Sequence, residues 1–175
     1  QELHDAAFNL TGFYGTLAKM ATRDIDDYLR LEKEPNGWAI NDEYGTCGFC
    51  GYYMSMKGFW FDRFGFKCKF CQKAVNDGII PGTVCRNKEK WFTFETLKEK
   101  FGINSNTARS LVRKCEIKAR VILNDAGKPH FTVFLREDNY KFLKIEKEAP
   151  VSELEEYDQQ VAKWAEDFKQ KSLKS

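Results

Sequence analysis

Four cysteines in the chain stand at the spacing of metal ligands. Cys47 and Cys50 form one Cys-x-x-Cys pair, and Cys68 and Cys71 form a second pair after seventeen intervening residues. A two-residue gap lets one tight turn present two thiolates to one ion. Four thiolates complete the tetrahedral shell of Zn²⁺, with Zn–S distances of about 2.3 Å. The spacing therefore predicts one structural zinc ion on these four residues.

Other uses of these cysteines fit the pattern less well. A thioredoxin-like redox pair needs a single Cys-x-x-Cys in a βαβ setting, and paired disulfides require a secreted chain. An iron–sulfur cluster is also compatible with four cysteines. The two remaining cysteines, Cys85 and Cys115, have no partner at ligand spacing. They are expected to be small buried apolar residues.

The residues between the two pairs are rich in aromatic and basic side chains. Gly48 and Gly51 are expected to ease the first turn, and the long gap fits a β-hairpin that returns the second pair. The stretch resembles a zinc ribbon, and residues 38–85 are predicted to form this module. Its aromatic residues either build a small core or stack on unpaired bases, with Lys57, Arg63, Lys67 and Lys69 on phosphates. They are Tyr52, Tyr53, Phe59, Trp60, Phe61, Phe64 and Phe66.

Charge is distributed unevenly along a chain whose net charge is only +2. Residues 86–144 carry fourteen Lys and Arg against seven Asp and Glu, and residues 47–85 carry five against two, which gives +10 for this central part. The flanking residues 1–46 and 145–175 together carry −8. Such a basic block is typical of a protein with a polyanionic partner, although acidic ends that fold back would also neutralise it.

The segment from residue 91 to residue 143 has the pattern of two short helices, a hairpin and a third helix. Thr93 is predicted to cap the first helix and Gly102 to end it, and Asn104 or Ser105 is predicted to cap the second. Strands are predicted over residues 117–123 and 130–135, with a turn at residues 124–127 between them. The inner faces of the two helices consist of Phe94, Leu97 and Phe101, and of Ala108, Leu111 and Val112.

This order of elements is that of a winged helix-turn-helix, and the segment resembles the excisionase/MerR-like DNA-binding domains. The resemblance covers residues 91–143 within a predicted domain at residues 86–145. Cys115 departs from it, because the family usually has Gly after the second helix, and the wing with Lys128-Pro129 is longer than in the shortest members. The motifs that carry the resemblance are Thr93, Gly102, Thr107 with Leu111 and Arg113, Ile117-Lys118-Ala119, and Arg136-Glu137-Asp138.

The resemblance implies that the second helix enters the major groove and that the wing lies along the DNA backbone. Arginines of that helix can form bidentate hydrogen bonds with base edges, whereas lysines of the helix end and the wing suit phosphates. Helix-turn-helix folds also serve as protein-docking modules, in which the same cations are merely solvated. The predicted DNA-contacting residues are Asn106, Thr107, Arg109, Ser110, Arg113, Lys114, Lys118, Arg120 and Lys128.

Helices are predicted at both ends of the chain. Residues 1–37 contain two apolar stripes at helical spacing, and residues 150–172 form an amphipathic helix with a capping box at Ser152 and Glu155. The apolar stripe of the last helix is expected to pack within the chain or to form a homodimer. It consists of Leu154, Tyr157, Val161, Trp164 and Phe168.

Together these patterns predict an α+β fold with a helical N-terminus, a zinc-ribbon β module, a winged helix-turn-helix and a C-terminal amphipathic helix. No apolar run is long enough to cross a bilayer, and the opening segment does not resemble a signal peptide. Gln1 in place of Met is expected of a fragment or a processed product. The chain is predicted to be cytoplasmic and nucleoid-associated, or nuclear, and not secreted.

The predicted function is that of a zinc-containing, sequence-specific protein that binds double-stranded DNA, as a transcriptional regulator or an accessory of recombination or of a mobile element. No catalytic set is evident, since His4 and His130 are the only histidines and no Gly-rich phosphate loop occurs. The chain is therefore predicted not to be an enzyme. Two alternatives stay open. One is a recognition subunit of a larger nucleic-acid enzyme, such as a restriction or transposition system. The other is a protein- or RNA-binding zinc adaptor whose ribbon aromatics face the partner. Apart from these alternatives, single-stranded DNA or RNA is a further candidate partner for the ribbon aromatics.

Overall fold

The computed structural model describes residues 24–175, and it has a mixed α+β fold with small antiparallel sheets. The first predicted helix lies outside the described residues. The helices are α1 (residues 24–33), α2 (Lys69–Asn76), α3 (Phe94–Phe101), α4 (Ser105–Arg113), α5 (Arg136–Leu143) and α6 (Glu153–Lys174). The strands are β1 (Trp38–Ala39), β2 (Tyr44–Thr46), β3 (Tyr53–Ser55), β4 (Trp60–Asp62), β5 (Gly65–Lys67), β6 (Trp91–Phe92), β7 (Arg120–Leu123) and β8 (Pro129–Leu135). Within residues 24–175, no helix has the length and apolar character needed to span a membrane.

The described chain divides into two compact units. In the unit formed by residues 24–37 and 155–175, α1 packs against α6. Ile25 of α1 is buried with Val161 and Ala165 of α6. The hydroxyl of Tyr157 also donates a hydrogen bond to a carboxylate oxygen of Asp24 at 2.6 Å. The middle of the apolar stripe of α6 therefore packs within the chain. Homodimer formation by this helix stays a prediction.

The second unit, Trp38–Leu154, contains both the four cysteines and the predicted winged helix. In its first part, β2 pairs with β3, and β4 lies between β1 and β5 in a second antiparallel sheet. Helix α2 follows directly and was not among the predicted elements. Of the intervening aromatics, Phe59 is fully buried, whereas Tyr52 and Tyr53 are 49% and 72% exposed. The other four are half-buried: Trp60, Phe61, Phe64 and Phe66.

A buried ion pair fixes the turn between β4 and β5. The ammonium group of Lys67, whose side chain is 1% exposed, lies 2.6 Å from a carboxylate oxygen of Asp62 and donates to the carbonyl of Gly65 at 3.0 Å. The same Asp62 oxygen accepts a hydrogen bond from the backbone N–H of Phe64. A buried ammonium is tolerated because these acceptors replace its water shell. Lys67 is therefore a structural residue and is not available to a phosphate.

The helix pair α3–α4 follows the predicted local signals. The side chain of Thr93 accepts a hydrogen bond from the N–H of Thr96 in a capping box, and α3 ends at Gly102 with φ of 69°. Asn104 caps α4 by accepting from the N–H of Thr107 at 2.9 Å. The predicted caps at Thr93 and Asn104 and the break at Gly102 are confirmed. The predicted inner faces pack around fully buried Ala108 in one core.

The three-stranded sheet β6–β8–β7 is shared between two cores. Alternate residues of β8 point to opposite faces. Val133 and Leu135 pack with the cysteine-bearing part of the unit, whereas Phe134 packs with Phe92 and the helix pair. The sheet that carries the wing is thereby attached to the cysteine module on one side and to α3–α4 on the other.

The strand predicted from residue 117 begins only at Arg120. The side chain of Asn139 explains the difference, since it accepts from the N–H of Lys118 at 2.7 Å and donates to the carbonyl of Lys118 at 3.0 Å. These bonds satisfy the backbone groups that a longer strand would have paired. The loop between α4 and β7 is therefore fixed by α5.

Cys115, the departure from the expected Gly, adopts the left-handed conformation with φ of 58°. Such a conformation costs an L-residue about 1–2 kcal/mol, a cost that glycine avoids at some loss of entropy on folding. We expect Cys115→Gly to stabilise the unit by about 0.5–1 kcal/mol, measured as a shift in the urea midpoint. The matched reverse change is Gly102→Ala, which should destabilise by a similar amount because φ is 69° and no neighbour lies close. An unchanged or lower midpoint for Cys115→Gly would contradict this account.

Candidate metal centre and nucleic-acid interface

The four predicted ligands converge on one point. Cys47 follows β2 and Cys50 lies in the turn to β3, whereas Cys68 caps α2 and Cys71 lies in its first turn. Their Sγ atoms all lie within 4.8 Å of one another. The cluster thus joins a hairpin turn to the N-terminus of a helix, and it is positioned to hold one metal ion.

The separations of the sulfurs are compatible with one metal ion. Zn–S bonds of about 2.3 Å imply S···S separations of about 3.8 Å, and the Sγ atoms of Cys50 and Cys68 are 3.9 Å apart. Backbone N–H groups of Phe49, Cys50 and Cys68 approach the Sγ of Cys47 at 3.4, 3.4 and 3.3 Å. Such N–H donors stabilise negative charge on sulfur. The donor set is therefore suited to four thiolates around one cation.

The neighbouring thiols shift one another's pKa values in opposite directions. Hydrogen bonds from the neighbouring thiols lower the pKa of Cys47, while contacts with the neighbouring thiols raise the pKa values of Cys50 and Cys71. Four negative charges this close therefore cannot form together without a compensating ion. Binding of a divalent metal would supply that charge and release the protons.

The two remaining cysteines lie outside the cluster. Cys85 is buried in the core, and burial raises the pKa of its thiol to about 12, so it is a poor ligand and a poor nucleophile. Cys115 is exposed, contrary to the expectation that both are buried. It lies just after α4, at the left-handed position that follows the helix.

Glycine is required at position 48 because two backbone segments meet there. The N–H of Gly48 donates to the carbonyl of Phe66 at 2.8 Å, and a Cβ atom at this position would lie 2.7 Å from the same oxygen. This close approach holds the first cysteine turn against β5, which leads directly into Cys68. Gly48 thus brings the two halves of the cluster together.

His130 of the wing strand lies against the cysteine cluster, a role that nothing in the sequence indicates. Its Nε2 is 3.3 Å from the Sγ of Cys50, and its ring centroid lies 4.7 Å from those of Tyr52 and Phe70. Burial lowers the pKa of His130 and so favours the neutral ring, which can donate to a thiolate. The contact joins residues eighty positions apart, and it connects the cluster to β8.

Most residues predicted to contact DNA lie on the surface. On α4, Ser110 is half-buried, and the exposed residues are Asn106, Thr107, Arg109 and Arg113. Lys114, which caps the end of the helix, is also exposed. The guanidinium carbon of Arg109 lies 5.0 Å from the ring centre of Phe94, which holds this side chain at the junction of α3 and α4. Lys118 and Lys128 are also exposed. The outward face of α4 is therefore cationic and polar, as the helix pattern predicts.

Arg120 differs from the other predicted cations because its guanidinium is engaged within the fold. Its Nε and one terminal nitrogen donate to the two carboxylate oxygens of Asp138 at 2.8 and 3.1 Å, and the other donates to the carbonyl of Ile79 at 2.9 Å. The hydrogen bond with Asp138 raises the pKa of Arg120. The structure thus gives Arg120 the role of joining β7 to α5.

Internal contacts also hold the wing tip. The side-chain oxygen of Asn124 accepts from the N–H groups of Ala126 and Lys128, each at 3.0 Å. The carboxylate of Asp125 lies 2.6 Å from the ammonium of Lys69 on α2. The two Asn124 hydrogen bonds fix the turn that carries Lys128, and the exposed Lys69–Asp125 pair adds a weak contact with α2.

The Arg136-Glu137-Asp138-Asn139 run was predicted to open α5, and it does, but three of its side chains also make internal contacts. Arg136 donates to the carbonyls of Glu89 and Glu146 at 2.7 and 2.9 Å. Asp138 binds the guanidinium of Arg120, and Asn139 binds the backbone of Lys118. Periodicity could not reveal these contacts, because each joins segments that are distant in sequence.

Comparisons of the chain with protein-family models, with curated proteins and with solved structures find no match.

Proposed function

We propose that this chain is a zinc-containing, sequence-specific protein that binds double-stranded DNA, as a transcriptional regulator or an accessory of DNA recombination. In this proposal the part of the chain from residue 86 to residue 145 is a winged helix-turn-helix of the excisionase/MerR-like kind. Helix α4 enters the major groove and the β7–β8 turn lies along the phosphate backbone.

The observation that carries the proposal is the exposed cationic face of α4 beside a well-anchored wing. Arg109 and Arg113 are exposed on that helix, where they can form bidentate hydrogen bonds with the acceptors of guanine. Lys114, Lys118 and Lys128 are exposed at the helix end and the wing, where they suit phosphates. Arg120 is left out of the proposed set because its guanidinium is held by Asp138.

In the proposal, one Zn²⁺ on Cys47, Cys50, Cys68 and Cys71 has a structural role. Bound there, the ion supplies a rigid tetrahedral link between the β2–β3 turn and α2. Helix α2 supports the wing sheet because Ala74 of α2 and Ile122 of β7 are buried in the same core. The module thus supports the wing and need not itself contact DNA. Zinc is favoured over harder cations because thiolate is a soft ligand.

Two kinds of substitution should separate base contacts from phosphate contacts. Once a preferred site is selected from random duplex, Arg109→Ala or Arg113→Ala should weaken binding to it by about 1–3 kcal/mol and relax its sequence preference. Lys118→Ala or Lys128→Ala should weaken binding to all sequences alike and reduce the salt slope by about one unit. The measurement is a fluorescence-anisotropy titration of each variant on selected and scrambled duplexes.

Arg120→Lys provides the matched control for a cation that faces inward. It should lower stability, because the bidentate pair with Asp138 is lost, while the folded variant keeps its sequence preference. Equal weakening by all four surface variants, with no change of preference, would mean that α4 only clamps phosphates. Unchanged binding in all four would exclude α4 and the wing as the DNA-contacting surface.

A second candidate function, an RNA- or protein-binding adaptor, is favoured by one observation. The β2–β3 hairpin exposes Tyr44, Tyr52 and Tyr53 by 62%, 49% and 72%, and the rings of Tyr44 and Tyr53 are stacked 5.9 Å apart. Exposed aromatic faces bind unpaired bases as well as protein partners. A preference for RNA over duplex DNA that disappears in Tyr53→Ala would favour this candidate.

A further inference from the structure

A groove of about 310 Å³ lies between the cysteine module and the helix pair. Three elements form it: the turn before β3, the first turn of α3, and β8. Its size is at the lower end of small-molecule sites, so it suits one planar ring system rather than a larger ligand. Its lining residues are Tyr52, Thr93, Phe94, Glu95, Pro129, His130, Phe131 and Thr132.

The walls of the groove combine aromatic rings with a few polar groups. Tyr52 packs one side against His130, with ring centroids 4.7 Å apart, and still leaves 49% of its surface exposed. Phe94 and Phe131 are half-buried, whereas Glu95 is exposed at the rim. Aromatic walls favour a flat π-system, and a carboxylate accepts hydrogen bonds from an exocyclic amino group such as that of cytosine or adenine.

The groove is continuous with the face that we propose reads DNA. The guanidinium carbon of Arg109 on α4 lies 5.0 Å from the ring centre of Phe94, which lines the groove. The groove and α4 are therefore adjacent. A nucleotide whose base entered the groove would therefore lie next to the bases that α4 contacts in the proposed complex.

We propose that this groove takes a single unpaired nucleobase of a DNA strand, stacked on Tyr52. The inference rests on the proposed function, because it places the base beside α4 of a DNA-bound protein. It deepens that function by naming a structural feature of the target: a duplex with a bulged or extruded base next to the site that α4 contacts. An unpaired base can also come from a fully single-stranded DNA, which offers the same stacking surface.

The test compares three DNA probes of matched sequence: a fully paired duplex, the same duplex with one bulged 2-aminopurine, and the single strand. The variants are Tyr52→Ala, Tyr52→Phe and, as the matched control, Tyr53→Ala, which removes a neighbouring tyrosine that does not line the groove. Affinity is measured by anisotropy, and stacking by quenching of the 2-aminopurine fluorescence. Metal content checks that each variant is folded.

We expect the unchanged protein, Tyr52→Phe and Tyr53→Ala to bind the bulged duplex about tenfold tighter than the paired one, with quenching. Tyr52→Ala should lose both the preference and the quenching, and keep its affinity for the paired duplex. If the single strand also binds tightly, the groove accepts any unpaired base. If the single strand binds weakly, the groove takes its base from a bulged duplex. A preference that survives Tyr52→Ala, or none in the unchanged protein, would overturn the inference. If the unchanged protein bound no paired duplex at all, that result would instead overturn the proposed function.

Discussion

Replacing Cys68 by serine is expected to abolish metal binding and to unfold the cysteine module. Cys68 is fully buried, caps α2, and donates its N–H to the Sγ of Cys47. A structural zinc contributes its binding free energy to folding, about 10–16 kcal/mol in zinc-finger peptides. We expect elemental analysis to find about one zinc per unchanged chain and none in Cys68→Ser. Circular dichroism should show that the variant has lost ordered structure.

The loss should extend beyond the module. Ile122, Val133 and Leu135 of the wing sheet share one core with the cysteines, so unfolding of the module exposes one face of that sheet. Hydrogen exchange in β8 should therefore accelerate in Cys68→Ser. Cys85→Ala and Cys115→Ala are the matched controls, and both should keep a full metal content. Metal loss in either control, or retention in Cys68→Ser, would show that the ligand assignment is wrong.

The second large effect is expected from Asp62→Asn. This change leaves the ammonium of Lys67, 1% exposed, without its counter-charge. Removing one partner of a buried pair costs about 3–5 kcal/mol, because the remaining charge stays desolvated. Urea unfolding should therefore show a large fall in midpoint. The new amide can still accept from the N–H of Phe64, so the loss reports the charge rather than the turn.

Two controls isolate the burial of this pair. Asp77→Asn breaks the Lys73–Asp77 pair on α2, whose side chains are 73% and 48% exposed, and should cost at most about 1 kcal/mol. Asp62→Asn combined with Lys67→Met removes both buried charges and should recover most of the lost stability. Equal costs for the buried and exposed single changes would contradict the role given to Lys67.

The elements that the sequence predicts well are those with local signals. Thr93, Gly102 and Asn104 define the helix pair through hydrogen bonds between residues close in sequence. The cysteine cluster could be predicted equally well, because the two-residue gap of each Cys-x-x-Cys pair is typical of metal ligands. In both cases the sequence signal spans only a few positions, although the contact between the two cysteine pairs spans twenty-one.

The features that escaped prediction depend on contacts between distant segments. Helix α2 is short and is capped by Cys68 rather than by a preferred Ser, Thr, Asp or Asn. Arg120 matched a phosphate-binding pattern, but Asp138, eighteen positions away, holds its guanidinium. The contact of His130 with Cys50 spans eighty positions. Charge and periodicity indicate where a side chain is polar, and only the fold shows which partner it meets.

Affinity for random duplex DNA, measured across a salt series beside single-stranded DNA and RNA of the same length, tests the central claim most directly. If Lys114, Lys118 and Lys128 each neutralise one phosphate, the logarithm of the association constant should fall against the logarithm of salt concentration with a slope of about −3. The account predicts this slope together with a preference for duplex. A slope near zero, or a preference for RNA or single strands that persists across the series, would contradict it.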